Sequence, residues 1–437
     1  MRPLYFIFWL CLGFSFRLFF KRVVQVRPNK KRFGRTIFVS NHPSAFLDPI
    51  VIARLRKPVI YFMTRSDVFN KFTKPIFWLA HMLPIYRQQD GGDSQEKNKK
   101  VFKQATQALA RNRNLLVFGE GITDDIFERR LKPIKKGAIR IGFTALEDLN
   151  WSVEIKVQGL GINYTNPGVL RSEVLIAGAE PLILNEYKDA YLENPSKVIT
   201  ELNRELEARM QAQITHVISD ENVILHEQLQ QLTRKGMHVH CFDQNHSLQE
   251  RWQYSQKLAQ FLNENNQENK PIWEYLTQKV QAYFSDLSSK KLTEAELYWF
   301  VLEKNWRRHQ VLKLLLWFPF FILGLIHVAL PYLWVKRFVE KTLQRPVFWS
   351  GAKMGMLMVI LPLWNLIILA FAAKMICISW LYWLLYFMSL NFVAHGFHRF
   401  ITTWKIWRKS LNFSAQNTTE IVKQRVALQE LIKENGL

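Results

Sequence analysis

The chain has 437 residues, more than one ordinary domain needs, with 59 Lys plus Arg against 36 Asp plus Glu (net charge +23) and 32 Phe, 15 Trp and 13 Tyr. Such a basic excess favours polyanions, and aromatic residues crowded into a few apolar segments favour lipid over nucleic acid, for which no recognisable module is present. Three cysteines, Cys11, Cys241 and Cys377, exclude a disulfide framework and suit a reducing compartment.

Residues 4–20, LYFIFWLCLGFSFRLFF, are apolar apart from Arg17 and are flanked by Arg2, Lys21 and Arg22. The stretch before Arg17 falls short of the roughly 20 residues a spanning helix needs. No small-residue cleavage site follows it. An uncleaved anchor lying in the membrane interface is expected, and residues 1–35 are read as anchor plus basic linker.

From residue 36 to 184 short β-rich runs alternate with helical ones. TIFVS (36–40), VIYFM (59–63), NLLVFGEG (114–121), VEIKVQGLGINY (153–164) and EVLIAGAE (173–180) read as strands. KNKKVFKQATQALARN (97–112) sets Val101, Phe102, Ala105, Ala108 and Leu109 at helical spacing. The alternation predicts an α/β domain with buried, continuously apolar strands.

Residues 185–312 are rich in Gln, Glu, Asn and Lys and read as a soluble helical insert. Within it, MHVHCFDQNH carries His238, His240, Cys241, Asp243 and His246, but their spacing matches no structural zinc pattern, and no metal is expected. The membrane region is placed at 313–395. Its first segment, 314–334, is long enough to span, and Pro319, Gly324 and Pro331 predict a kinked or re-entrant path. Residues 354–373 and 375–394, separated by Lys374, read as a helical hairpin. Lys336, Arg337, Lys341, Arg345 and Lys353 before the hairpin and Arg399, Lys405, Arg408 and Lys409 after it place both open ends in the cytoplasm. Residues 396–437 form a basic amphipathic cytoplasmic tail.

Four stretches of the α/β region can carry chemistry. SNHPSAFLDP (40–49) sets His42 after a buried strand and Asp48 beyond a Pro43-Ser44 turn; a histidine whose second ring nitrogen is held by a carboxylate can take a proton from a hydroxyl. In LPIYRQQDGG, Arg87 ends an apolar run and can grip a phosphate bidentately. VFGEGITDD (117–125) ends a strand in Gly119-Glu120-Gly121, where glycines let backbone amides approach an oxygen. KPIKKGAI (132–139) sets Lys135 and Lys136 before a helix start, an arrangement that suits an anion. Singly, each is also an ordinary turn, strand end or solvated basic loop.

Together and in this order the four blocks resemble the glycerolipid acyltransferase family over residues 36–180. The resemblance implies a mixed, mostly buried sheet flanked by helices, with the helical insert and C-terminal transmembrane helices as additions. His42 then takes the role of general base and Asp48 that of its partner. Arg87, Glu120, Gly121, Thr123 and Lys135 are the implied substrate-binding residues. No cofactor is implied; acyl-CoA or acyl-carrier protein serves as co-substrate, and membrane lipids and a phosphorylated glycerol acceptor are the expected partners.

Three departures mark the match. Five residues separate His42 from Asp48 instead of four, Gly119 replaces a proline, and Thr123, Asp124 and Asp125 stand where an arginine is usual. These are similar to the branch acting on glycerol-3-phosphate or dihydroxyacetone phosphate, which also carries C-terminal membrane segments. The implied function is first-step acylation in phosphatidic acid synthesis, at the cytoplasmic face of the cell (inner) membrane. A lysophosphatidate acyltransferase and a non-catalytic lipid-binding scaffold on the same fold are the alternatives. A thioester is already activated, so a base, alignment and stabilisation of the developing oxyanion suffice.

Overall fold

The computed structural model describes residues 13, 16–26, 34–53, 60–71, 73–86, 94–240, 245–264, 270–303, 305–376, 379–413 and 418–434. The chain divides into two compact units, one consisting mainly of residues 22–168 and 173–216, the other mainly of residues 217–437.

The first unit is built on an eight-stranded mixed sheet: β1 (Phe20–Val26), β2 (Thr36–Ser40), β3 (Ile60–Arg65), β4 (Met82–Ile85), β5 (Asn114–Phe118), β6 (Lys156–Tyr164), β7 (Ser172–Gly178) and β8 (Leu182–Ile183). The strand order is β1-β7-β6-β2-β5-β3-β4, with β8 added to β6. β6, β2, β5, β3 and β4 run parallel, and β7 and β8 are antiparallel to β6. Every residue of β2 and of β7 is buried, as continuously apolar strands covered on both faces require. Ser40 pairs with Phe118, so the chain leaves β2 and β5 side by side at the carboxyl edge of the sheet. In open α/β sheets that edge is where ligands bind.

The five strands read from the sequence are present, β2 with the expected ends and the other four with somewhat different ones. Residues 20–26, expected within the anchor and linker, instead form β1. Their alternation of exposed Lys21, Val23 and Gln25 with more buried neighbours is that of a strand, not of an interfacial helix. The helix expected at 97–112 runs Ser94–Ala110 and buries Val101, Ala105, Ala108 and Leu109 in the core. The Lys188–Glu193 and Pro195–Gln211 helices fall in the expected insert, yet Tyr191, Val198, Leu202, Leu206 and Met210 join the core of the sheet unit. The helical insert therefore starts later than composition suggests.

In the second unit, helices Asp220–Thr233, Leu248–Glu264, Lys270–Ser289 and Thr419–Glu434 share an apolar core. Glu294 is buried there and is ion-paired to Arg425 at 2.7 Å. Three long helical runs complete the unit. Residues Trp306–Thr342 continue through Pro319 and Pro331 with a π turn at Leu325–Ala329, so of the two paths expected for 314–334 the chain does not take the reversing one. The other two are Trp349–Met375 and Trp380–Leu411. Gly324 and Gly396 let the first and third runs approach closely: a Cβ at Gly324 would lie 2.4 Å from Phe397, and one at Gly396 2.4 Å from Phe320. Among the described residues, two runs, Trp306–Thr342 and Pro346–Met375, are long and apolar enough to cross a membrane. Most of the stretch read as an N-terminal anchor lies outside the described residues.

Candidate active site

β2 ends at Ser40, and the next side chain continues its pairing. The Asn41 amide accepts from Ile162 N at 2.8 Å and donates to Ile162 O at 3.1 Å, doing for β6 what a further peptide of β2 would do. This hook fixes where His42 leaves the sheet. Residues Pro43–Phe46 then turn the chain, with Ala45 in the left-handed region at φ 40°, and the Leu47–Ala53 helix begins. The turn closes on itself through Leu47 N to Ser44 O, 2.9 Å, and Ser44 N to Asp48 Oδ2, 2.8 Å.

The turn brings the predicted pair together. His42 Nδ1 lies 2.9 Å from Asp48 Oδ2. A carboxylate can only accept, so Nδ1 carries the proton and the lone pair of the neutral ring sits on Nε2. Asp48 is wholly buried, whereas the His42 side chain keeps 19% of its surface. The Tyr164 hydroxyl donates to the other carboxylate oxygen at 2.8 Å, giving Asp48 three donors in all. The His42 ring is held from a second direction by Phe118, stacked 3.9 Å away at 17°.

Glu120 joins the other blocks to this pair. Its carboxyl accepts from His42 N at 3.2 Å and Lys132 N at 3.4 Å. Burial raises its pKa to about 7, against the two backbone donors and the Lys132 charge, which pull it down. Gly119 lies too close to the sheet for a side chain: a Cβ would sit 2.9 Å from Val39. Gly121 has φ +71°, and a Cβ there would meet the Lys135 ammonium at 2.7 Å, so that cation lies directly over the glycine backbone. Lys135 N donates to Gly119 O at 2.9 Å, tying the third and fourth blocks together.

Thr123 follows half-buried, and Asp124 is ion-paired with Lys132. Lys136 donates to Thr200. Arg87 lies outside the described residues; the strand leading to it, β4, ends at Ile85. His42, Asp48, Glu120, Gly121 and Lys135 are thus linked at one edge. Asn41, Phe118 and Tyr164 lie within the stretches quoted from the sequence but were given no site role there. A buried aromatic hydroxyl closing an apolar strand was the available signal for Tyr164, since it must find a partner.

In the histidine-rich stretch 237–246, where no metal is expected, the His238 and His240 rings lie 5.3 Å apart, and Cys241 and Asp243 fall outside the described residues. No group of three metal-ligating side chains meets among the described residues.

Residues 22–155 match the family model Acyltransferase. No curated protein matches the chain. Among solved structures, the chain is similar to the crystal structure of the 1-acyl-sn-glycerophosphate (LPA) acyltransferase PlsC from Thermotoga maritima, at 17% identity over 46% of this chain and 79% of that one, with a TM-score of 0.28.

Proposed function

We propose that the acyltransferase domain carried by residues 22–155 transfers a fatty acyl group from a thioester to the hydroxyl of a phosphorylated glycerol, with His42 as general base. The observation that carries this reading is the His42–Asp48 pair, whose carboxylate is buried and fully engaged while the imidazole stays accessible. Nε2 takes the proton of the acceptor hydroxyl as its oxygen attacks the thioester carbonyl. The tetrahedral intermediate collapses by breaking the C–S bond, and the proton leaves with the thiol. Asp48 holds the Nδ1 proton in place and stabilises the imidazolium that forms between these steps. No covalent acyl-enzyme is needed, because the thioester is already activated.

Lys135 over the Gly121 backbone supplies a cation at the same edge, suited to the acceptor phosphate or the developing oxyanion. Arg87 is assigned to the acceptor phosphate and Thr123 to the substrate-binding strip, both from the family pattern. Glycerol-3-phosphate or dihydroxyacetone phosphate is the favoured acceptor, because the five-residue spacing between His42 and Asp48 resembles that branch. The two apolar helical runs and the basic residues flanking them support a membrane-embedded enzyme with its active site facing the cytoplasm.

The test is a product assay with the full chain in nanodiscs, offered acyl-CoA or acyl-carrier protein and, side by side, glycerol-3-phosphate, dihydroxyacetone phosphate and lysophosphatidate. Acylation of either of the first two supports the favoured branch, and acylation of lysophosphatidate alone moves the enzyme to the second step. No acylation of any acceptor would leave the lipid-binding scaffold as the better reading.

A further inference from the structure

We infer that Tyr164 is a positioning residue of this site, and that the last residues of β6 fix the His42 loop from both ends. The inference rests on the acyl-transfer reading for its kinetic consequence, though not for its geometry. Ile162 grips Asn41 through two hydrogen bonds, and Tyr164, two residues on, holds Asp48 at 2.8 Å. Those two anchor points bracket the turn that carries His42. Tyr164 lies 116 residues from Asp48 in sequence, so nothing local enforces the contact.

The support for Tyr164 is itself rigid. Its ring is wholly buried, and its carbonyl accepts from Arg129 Nη1 at 2.7 Å. Neighbouring Asn163 donates to Gln213 O at 2.9 Å and accepts from Thr215 N at 3.1 Å, pinning the strand end on its other side. Burial, followed by the charge and hydrogen bond of Asp48, drives the Tyr164 pKa well above that of an ordinary phenol. The hydroxyl is therefore a donor throughout the working pH range. It takes up the carboxylate oxygen that His42 does not use and holds the carboxylate in the plane the imidazole needs. It also draws part of the Asp48 charge away from His42. The groups bearing on the ring are then Asp48, Tyr164 acting through it, Glu120 on the His42 backbone, and Lys132 beside Glu120.

Tyr164→Phe removes one hydroxyl and keeps the ring. With less of its charge shared, Asp48 holds the imidazolium more firmly, so the His42 signal of the variant should respond at higher pH than that of the parent. The loosened base should cost about tenfold in kcat with little change in acceptor KM. The direct readout is 15N NMR of histidine-labelled full chain in nanodiscs, with the His42 signal assigned by its absence in His42→Gln. The acid limb of the kcat profile should follow the same shift. Tyr164→3-fluorotyrosine, a stronger donor of nearly the same size, should move both in the opposite direction. In an Asp48→Asn background the effect of Tyr164→Phe should vanish.

An unmoved His42 titration, or an equal rate loss with and without Asp48, would overturn the inference and leave Tyr164 as packing. If the parent protein transfers no acyl group to any acceptor while the NMR shift appears as described, the functional reading fails and the positioning role stands.

Discussion

Two histidines of this molecule sit in almost the same company and are held in different ways. In the sheet unit, His42 has Asp48 on Nδ1, a tyrosine hydroxyl on the far carboxylate oxygen, and 19% of its side chain exposed. In the helical unit, His327 has Asn365 Oδ1 on Nδ1 at 2.6 Å and the Tyr386 hydroxyl on Nε2 at 2.9 Å. Both nitrogens of His327 are occupied, and the residue is only 4% exposed. Its partner is a neutral amide instead of a carboxylate. The His327 cluster instead repairs a backbone defect. A π turn leaves carbonyls without their usual donors, and here Asn365 Nδ2 reaches His327 O while Trp364 Nε1 reaches Ile326 O. A base needs one nitrogen held by a charge and one left open; a clasp needs both filled.

The sharpest way to break this contrast is at His42. His42→Ala should lower acyl transfer by roughly 100- to 10,000-fold, the range general-base catalysis contributes. Helical circular dichroism and the thermal midpoint should stay near those of the parent, because Asp48 keeps two of its three donors. Retained turnover in that variant would place the base elsewhere.

Glu120 separates the two units in a second way: among the described residues, the carboxyl held between backbone donors with a raised pKa lies at the sheet edge beside His42. In the unfolded chain the group titrates at its ordinary value near 4.5; in the fold it holds its proton up to about 7. The folded state therefore binds more protons between those values, and the stability linked to this group is fully present below about pH 4.5 and lost as pH rises through about 7. The swing is on the order of 3 kcal/mol. Glu120→Gln cannot ionise, and its single amide oxygen can accept from only one of His42 N and Lys132 N, so it starts from a lower stability than the parent but has no proton to lose. Denaturant titrations between pH 5 and 8 should show the parent losing stability and the variant holding level; parallel curves would contradict the assignment.

What was legible from sequence follows the range of the interactions. The five internal strands carry their own apolar runs, and the His42–Asp48 contact spans six residues and one turn, so both could be read locally. β1 escaped because FKRVVQV follows an aromatic run and carries two basic residues, which masked its alternation. Asn41 with Ile162 and Tyr164 with Asp48 are separated by more than a hundred residues, and no spacing rule reaches that far. The π turn at Leu325–Ala329 was hidden for a different reason: Pro331 and Gly324 signal irregularity without saying whether the chain bends, reverses or merely slips by one residue.

The smallest effect should come from the clasp itself, and it tests the other half of the comparison. Asn365→Leu removes the acceptor of the His327 Nδ1 proton and the donor to His327 O. Hydrogen bonds between helices in apolar surroundings contribute roughly 0.6–2 kcal/mol each, because the unfolded state also finds partners. A modest fall in unfolding stability is expected, with acyl transfer per folded molecule unchanged. Because Tyr386 still occupies Nε2, the freed proton on Nδ1 has no carboxylate to move to, and the ring gains no catalytic competence. If Asn365→Leu instead altered kcat at unchanged stability, His327 would have to be read as chemical, and the rule that separates an open nitrogen from a filled pair would not hold in this protein.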